Sequence, residues 1–389
     1  MDAPPPVPGA RLLFSLDPAV VHLNHGAFGA VPVPVQRAQQ RLRDEMDANP
    51  VRFFTRGLGE RLAHGRRHLA SFLGADPDHT TLVTNTTTAV SVVLASLDLA
   101  AGDEIVTTDH GYGAVDLAVA RACTRTGAKH VVAPVPLLAT DDEIVAAVTA
   151  TVRADRTRLV IVDLVTSPTA RVFPAARIVA QLRTRGVPVF VDGAHAPGSL
   201  PLDVSALDAD FFVGNLHKWA YAPRGTALFT VAGAWVPRIR PLVVSWADAD
   251  GFPARHESLG TRDYTGWLAA PAGLFVLRSL GVSRVREHND ALAGYGQRVL
   301  AQALHADPNE VPDPGAALPM RVVPLPLRPA DPQAAQDFRN HIADRSGIEV
   351  SVPFWRGQAL LRICAQVYNT AQDYQRLAQA LPGLLRGAG

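Results

Sequence analysis

One lysine stands at the end of an apolar run: residues 210–214 lead into Asn215-Leu216-His217-Lys218-Trp219. An ammonium is costly to bury charged, so such a lysine either carries its head to water along its stem or has a lowered pKa and acts as an amine nucleophile. A second apolar run, residues 187–191, reads as a buried strand. It ends in Asp192-Gly193-Ala194-His195-Ala196, a carboxylate and an imidazole delivered to the edge where an open α/β sheet places its ligands. These residue types suit pyridoxal phosphate, which needs a lysine for its aldehyde and a carboxylate that keeps the ring nitrogen protonated, so that the ring acts as an electron sink. Asp192 and Lys218 fit those two roles.

The elements that must position these groups alternate between apolar strands and amphipathic helices. Strands are expected at 80–83, 104–107, 159–165 and 187–191, with an edge strand at 225–230, and helices at 35–46, 60–72 and 89–97. Thr140-Asp141-Asp142-Glu143 reads as a capping box opening a helix through 152, and Pro174 starts another. This alternation predicts an α/β fold: a large doubly wound, mostly parallel sheet domain over 20–275, after an N-terminal tail 1–19. A smaller α+β C-terminal domain is expected over 276–389.

Polar groups recur where strands end. Asp109-His110-Gly111-Tyr112 follows one strand and Thr166-Ser167-Pro168-Thr169 another. Thr84-Asn85-Thr86-Thr87-Thr88 sets hydroxyls and backbone N–H groups at a helix N-terminus, which is either a phosphate cradle or a threonine-rich cap. His25-Gly26-Ala27-Phe28-Gly29 is either a strand-to-helix turn or a substrate-lining loop. Phe53, Phe54 and Arg56 are either packing or a clamp on an anionic substrate.

Composition excludes several classes. Lys plus Arg number 37 against 36 Asp plus Glu, so the net charge of +1 leaves no footprint for nucleic acid or an anionic membrane, and a small-molecule partner is favoured. The two cysteines, Cys123 and Cys364, form neither a metal-ligand pattern nor a disulfide framework, and no metal site is expected. No apolar run approaches the roughly 18 residues of a membrane span and no signal-peptide pattern opens the chain, so the reading is a cytoplasmic protein.

With these residues in hand, the sequence resembles the class V aminotransferase superfamily of pyridoxal phosphate enzymes, of fold type I, and within it the isopenicillin N epimerase-like branch. The resemblance covers almost the whole chain. It rests on Leu23-Asn24-His25-Gly26-Ala27-Phe28-Gly29, Asn49-Pro50-Val51-Arg52-Phe53-Phe54, Thr166-Ser167-Pro168-Thr169, Val191-Asp192-Gly193-Ala194-His195-Ala196-Pro197-Gly198, Gly214-Asn215-Leu216-His217-Lys218-Trp219 and Gly260-Thr261-Arg262-Asp263. It implies that Lys218 bonds covalently to the cofactor and that Asp192 pairs with its ring nitrogen. Thr86, Thr87 and His217 would hold the phosphate, with Ser167 and His195 near the phenolic oxygen. His110, with Tyr112 as the alternative, would stack on the ring face opposite the lysine, and Arg362 would clamp the substrate carboxylate. Asn24, Phe53, Arg56 and Tyr112 would line the substrate side. Thr261 would reach the phosphate of a neighbouring subunit, which implies a homodimer with a shared active site. Relatives commonly carry a histidine and a glycine where this chain has Leu164 and Ala170, and an apolar residue in place of Arg171.

The resemblance further implies chemistry at Cα and Cβ of an amino acid, through an external aldimine and a quinonoid. A cysteine desulfurase needs a thiol on a mobile loop, and residues 347–361 have none. The expected activity is a C–S lyase acting on an S-substituted L-cysteine in specialised metabolism, with an epimerase as the alternative. An aminotransferase or a non-catalytic scaffold ranks below both.

Overall fold

Among the described residues twelve strands organise the chain, and seven of them form one sheet. They are β1 (Val21–His22), β2 (Thr80–Val83), β3 (Glu104–Thr108), β4 (Lys129–Ala133), β5 (Thr157–Asp163), β6 (Val189–Asp192), β7 (Phe211–Asn215), β8 (Ala227–Val231), β9 (Met320–Pro324), β10 (Ile348–Glu349), β11 (Phe354–Trp355) and β12 (Gln358–Cys364). This computed structural model describes residues 2–386; residue 1 of the expected tail and residues 387–389 of the expected C-terminal domain lie outside the described residues. The large sheet runs β2-β8-β7-β6-β5-β3-β4, parallel except that β8 is antiparallel to both neighbours.

Period-two alternation explains why these strands are apolar throughout. On β5, β6 and β7, Val160, Val162, Val189, Val191 and Phe212 join the core on one face, while Leu159, Ile161, Phe190, Phe211 and Val213 join the core on the other. Helices cover both faces, as in a doubly wound sheet. The strand expected at the edge, β8, instead lies between β2 and β7, and β2 is the edge on that side. The opposite edge, β4, carries the exposed Lys129 and a half-buried His130, side chains that suit a strand with one unpaired flank.

The capping box forms as expected: the Thr140 hydroxyl accepts from the Glu143 N–H, and the Glu143 carboxylate accepts from the Thr140 N–H. Ala170 sits at φ 49 in the left-handed region, a strained position for a residue with a Cβ. Arg171 beside it is buried and donates to the carbonyls of Leu137 and Ala139, so its guanidinium ties two loops together.

In the C-terminal region β11, β12 and β9 form a second, antiparallel sheet, against which helices Val282–Ala303 and Ala371–Arg386 pack. The expected division between residues 275 and 276 falls inside the helix Thr265–Leu280. The chain turns by 76° between that helix and the next, at Gly281 with φ 85. β1 pairs in parallel with β10, so the strand that opens the chain belongs with the C-terminal part and not with the large sheet. No single helix among the described residues is long and apolar enough to cross a membrane.

Candidate active site

Three parallel strands end side by side and set out the polar groups. Asp163 closes β5, Asp192 closes β6 in register with it, and Asn215 closes β7. One helical turn, Leu216–Trp219, follows β7 directly and carries Lys218. This turn is held from beneath by the Leu23–Gly29 segment. His25 Nε2–H bonds to the Lys218 carbonyl at 2.9 Å and its Nδ1 meets the Tyr368 hydroxyl at 3.0 Å, in a burial that pushes its pKa down to about 3. Gly29 lies against the His217 carbonyl and Gly198 against that of Trp219, so closely that a Cβ at either would collide with backbone. The glycines of both motifs therefore serve close packing under the lysine.

Lys218 Nζ lies 3.0 Å from His195 Nε2. Burial, then the nearby Arg362 charge, lower the Lys218 pKa to about 8, against a partial opposing pull from Asp192. Burial and the same two cations hold His195 well below its ordinary value, so it is neutral. An amine of this kind is a nucleophile and a base near neutral pH.

Asp192 is buried, accepts the Ala194 N–H at 2.9 Å on Oδ1, and among the described residues forms no ion pair. Burial raises its pKa to about 6. A buried carboxylate without a cation is the complement of a protonated pyridine nitrogen, and this residue is the direct test of whether the site fits pyridoxal phosphate. It fits.

Arg362, buried on β12, reaches across from the small sheet. Its Nη1 donates to the Ser167 carbonyl at 2.5 Å and hydroxyl at 3.0 Å, its Nη2 donates to Asn24 Oδ1 at 3.3 Å, and its Nε is buried without a partner. Asn24 is fixed in turn by donating to the Val350 carbonyl at 3.2 Å. Ser167, Asn24 and Arg362 thus converge.

The two aromatic candidates separate. His110 is fully buried; Nδ1 meets the Thr169 hydroxyl at 2.7 Å, Nε2–H bonds to the Val135 carbonyl at 3.0 Å, and Phe173 and Trp355 pack on the ring. Tyr112, two residues on at the start of helix Gly113–Thr126, is 48% exposed, so it has the free ring that His110 lacks.

At the phosphate end, Asn215 Oδ1 accepts both the Thr86 N–H (3.1 Å) and its hydroxyl (3.2 Å), while Asn85 caps Thr88. Thr87 is left exposed at the N-terminus of helix Thr86–Ser96, where the helix dipole favours an anion. His217 donates from Nδ1 to the Thr226 carbonyl at 3.0 Å, and burial lowers its pKa to about 4. Its Nε2 is the atom left for a ligand.

Three expected residues are not drawn into this cluster. Thr261 is exposed on the loop before helix Thr265–Leu280, where Arg262 lies over Trp267 at 4.3 Å. Phe53 is buried, edge-on to Phe54 and covered by Arg61. Arg56 is exposed and among the described residues makes no ion pair. Asp163, Asn215 and Trp219 were not singled out from sequence. Burial, and then the charge of Asp192, raise the Asp163 pKa well above its usual range. The available signal was its place directly after the apolar run 159–162, as Asp192 directly follows the apolar run 187–191.

The sequence profile of the family described as Aminotransferase class-V matches residues 24–377. The chain belongs to this family, the pyridoxal phosphate enzymes that its motifs implied. It is 37% identical to the isopenicillin N epimerase of Amycolatopsis lactamdurans, over 96% of this chain and 98% of that protein. It is 29% identical to the probable chloroplastic L-cysteine desulfhydrase of Arabidopsis thaliana, over 95% and 84%. The solved complex between the cystine C–S lyase C-DES and its reaction product cysteine persulfide shares the fold, with a TM-score of 0.79 at 23% identity, over 93% of this chain and 97% of that one.

Proposed function

We propose that this chain is a pyridoxal phosphate-dependent lyase that breaks the C–S bond of an S-substituted L-cysteine. The observation that carries this reading is the Lys218–His195 pair, an amine of lowered pKa near Arg362 and Asn24, while the imidazole of His110 is sealed away. When bound, the cofactor supplies a protonated ring that takes up the electron pair released at Cα. Asp192 would hold its ring nitrogen, Ser167 and His195 its phenolic side, and Thr86, Thr87 and His217 its phosphate. Arg362, steadied by Asn24, binds the substrate carboxylate in two parallel hydrogen bonds and so orients the Cα–H bond. Lys218, as the free amine, takes the Cα proton. The C–S bond then breaks with its electron pair on sulfur, the thiolate is protonated, and water converts the remaining fragment to pyruvate and ammonia. An L-cysteine desulfhydrase among the relatives supports this chemistry.

Epimerisation at Cα is the second reading, favoured by 37% identity to an isopenicillin N epimerase and by the exposed ring of Tyr112. Tyr112 would then stack on the ring and return the proton from the face opposite Lys218. Incubation with S-alkyl cysteines in deuterated water, followed by mass spectrometry, separates the two. Thiol, pyruvate and ammonia are the expected products; deuterium at Cα of recovered, inverted amino acid would make the chain an epimerase. Unlabelled, unchanged substrate across a broad panel would defeat both readings.

The working unit we propose is a homodimer. Gly260, which precedes Thr261 and Arg262 in the chain, lines a groove with the exposed apolar Val243, Val244 and Trp246, a surface suited to burial against a second copy. A Lys218→Ala chain mixed with a Thr261→Ala chain is expected to regain activity, because one site of each mixed dimer is then free of both lesions. No recovery in any mixture would count against a shared site.

A further inference from the structure

Lys218 and Trp219 are consecutive residues of one helical turn, and both reach the same imidazole. The Trp219 indole Nε1–H donates to His195 Nδ1 at 3.4 Å, and Lys218 Nζ lies 3.0 Å from His195 Nε2. An indole nitrogen is only a donor, so Nδ1 is the acceptor of that pair. Burial keeps the imidazole neutral, with a single N–H, and that hydrogen must then sit on Nε2. It points at Nζ. A hydrogen bond there needs a lone pair on the lysine nitrogen, which an ammonium lacks and a free amine has.

We propose that Trp219 is a positioning residue that sets the His195 tautomer and thereby favours the free-amine form of Lys218, the form that bonds to a cofactor aldehyde. The indole has little freedom to do otherwise. It is buried, the His25 ring packs 5.0 Å from it, and the space between it and Gly26 would not admit a Cβ without a shift. Phenylalanine fills most of the same volume but donates nothing. In its presence His195 is free to carry its hydrogen on Nδ1, and Nε2 becomes an acceptor that favours the ammonium. The other groups facing Lys218 are Arg362 and Cys364 from β12, Asp192 from β6 and Asp163 from β5, with His217 beside it on its own turn. Burial and Arg362 work against the ammonium while the carboxylates and Cys364 favour it, and the imidazole is the group in direct contact.

The inference rests on Lys218 as the cofactor-binding lysine, but the hydrogen-bond relay belongs to the protein without cofactor and is measured there. The chain has two lysines, Lys129 exposed on edge strand β4 and Lys218. Trace acetylation of the full-length apoprotein with acetic anhydride at a series of pH values, read by mass spectrometry, therefore titrates Lys218 with Lys129 as an internal reference. The expected midpoint for Lys218 is about 8 in the native protein. In Trp219→Phe it moves up by about one unit, the weight of one hydrogen bond, so labelling at pH 7 slows about tenfold while Lys129 is unchanged. A folded Trp219→Phe protein whose Lys218 midpoint stays put overturns the proposal. Should that variant not fold, ¹⁵N-histidine NMR of the native apoprotein, assigned with His195→Gln, reads the tautomer itself. An Nε2–H signature above pH 9, where Lys218 is the free amine, supports the relay and an Nδ1–H signature there overturns it. A borohydride-fixed cofactor on Lys129 would instead sink the cofactor assignment while leaving these titrations intact.

Discussion

Replacing Lys218 with alanine is expected to abolish turnover, by about 10⁴-fold or more, since in the proposed mechanism the residue is both the attachment point and the base on Cα. Borohydride reduction of the native protein with pyridoxal phosphate should fix the cofactor on Lys218 alone, and peptide mapping should find nothing in Lys218→Ala. With a pKa of about 8, about a tenth of Lys218 is free amine at pH 7, so cofactor capture by the apoprotein should rise about tenfold per pH unit below 8 and level off above it. The same shift costs stability. Lys218 titrates at a lower pH in the folded chain than the ordinary 10.5, so between about 8 and 10.5 the unfolded chain binds more protons and stability rises with pH through that window. Below 8 the full penalty applies. Lys218→Met should therefore be more stable than the native apoprotein at pH 7, by up to about 3 kcal/mol, and lose that advantage above pH 10. Equal denaturation midpoints at pH 7 would show that the amine is not held in a costly environment.

Asp192→Asn is expected to fold and to bind cofactor while losing about 10²- to 10⁴-fold in turnover, because a neutral amide does not keep the ring nitrogen protonated. Turnover within a few-fold of native would refute the role. Here the stability sign is opposite to that of Lys218. Burial raises the Asp192 pKa from 3.8 to about 6, so the folded chain binds more protons between those values and stability falls as pH rises through them. The penalty is complete above about 6, where Asn, which holds no charge, avoids it. Thermal melts of the two apoproteins should therefore coincide near pH 4 and separate in favour of Asp192→Asn, by on the order of 2 kcal/mol, at pH 7 to 8. Asp163 lies in register with Asp192 and shares its protons, so it broadens this transition.

Much of the site was legible because strand ends are local signals. An apolar run bounded by Asp-Gly-Ala-His, or by Asn-Leu-His-Lys, announces itself without knowledge of the partner strand, and a parallel sheet brings such ends together at one edge. Arg362 was legible only through its likeness to a family motif, since an arginine within an apolar strand says nothing by itself about the loop it will meet. The choice between His110 and Tyr112 shows the limit more sharply. Both follow β3, two residues apart, and only the packing of Phe173 and Trp355 from distant segments closes one and leaves the other open. Phe53 and Arg56 divide in the same way, one buried in a core and the other in solvent.

By itself, then, the sequence determined the alternation of strands and helices, the residues at the strand ends and the cofactor chemistry they suit, because these follow from period, capping and residue type within a dozen positions. The tertiary structure alone decided the order of strands, with β8 inside the sheet, and the pairing of β1 with β10 across more than 300 residues. It alone brought Arg362 to Ser167 and Asn24, and placed an indole and an amine on the two nitrogens of His195. Hydrogen bonds and burial between segments far apart in the chain depend on where the whole core settles, and no local pattern of residues encodes that.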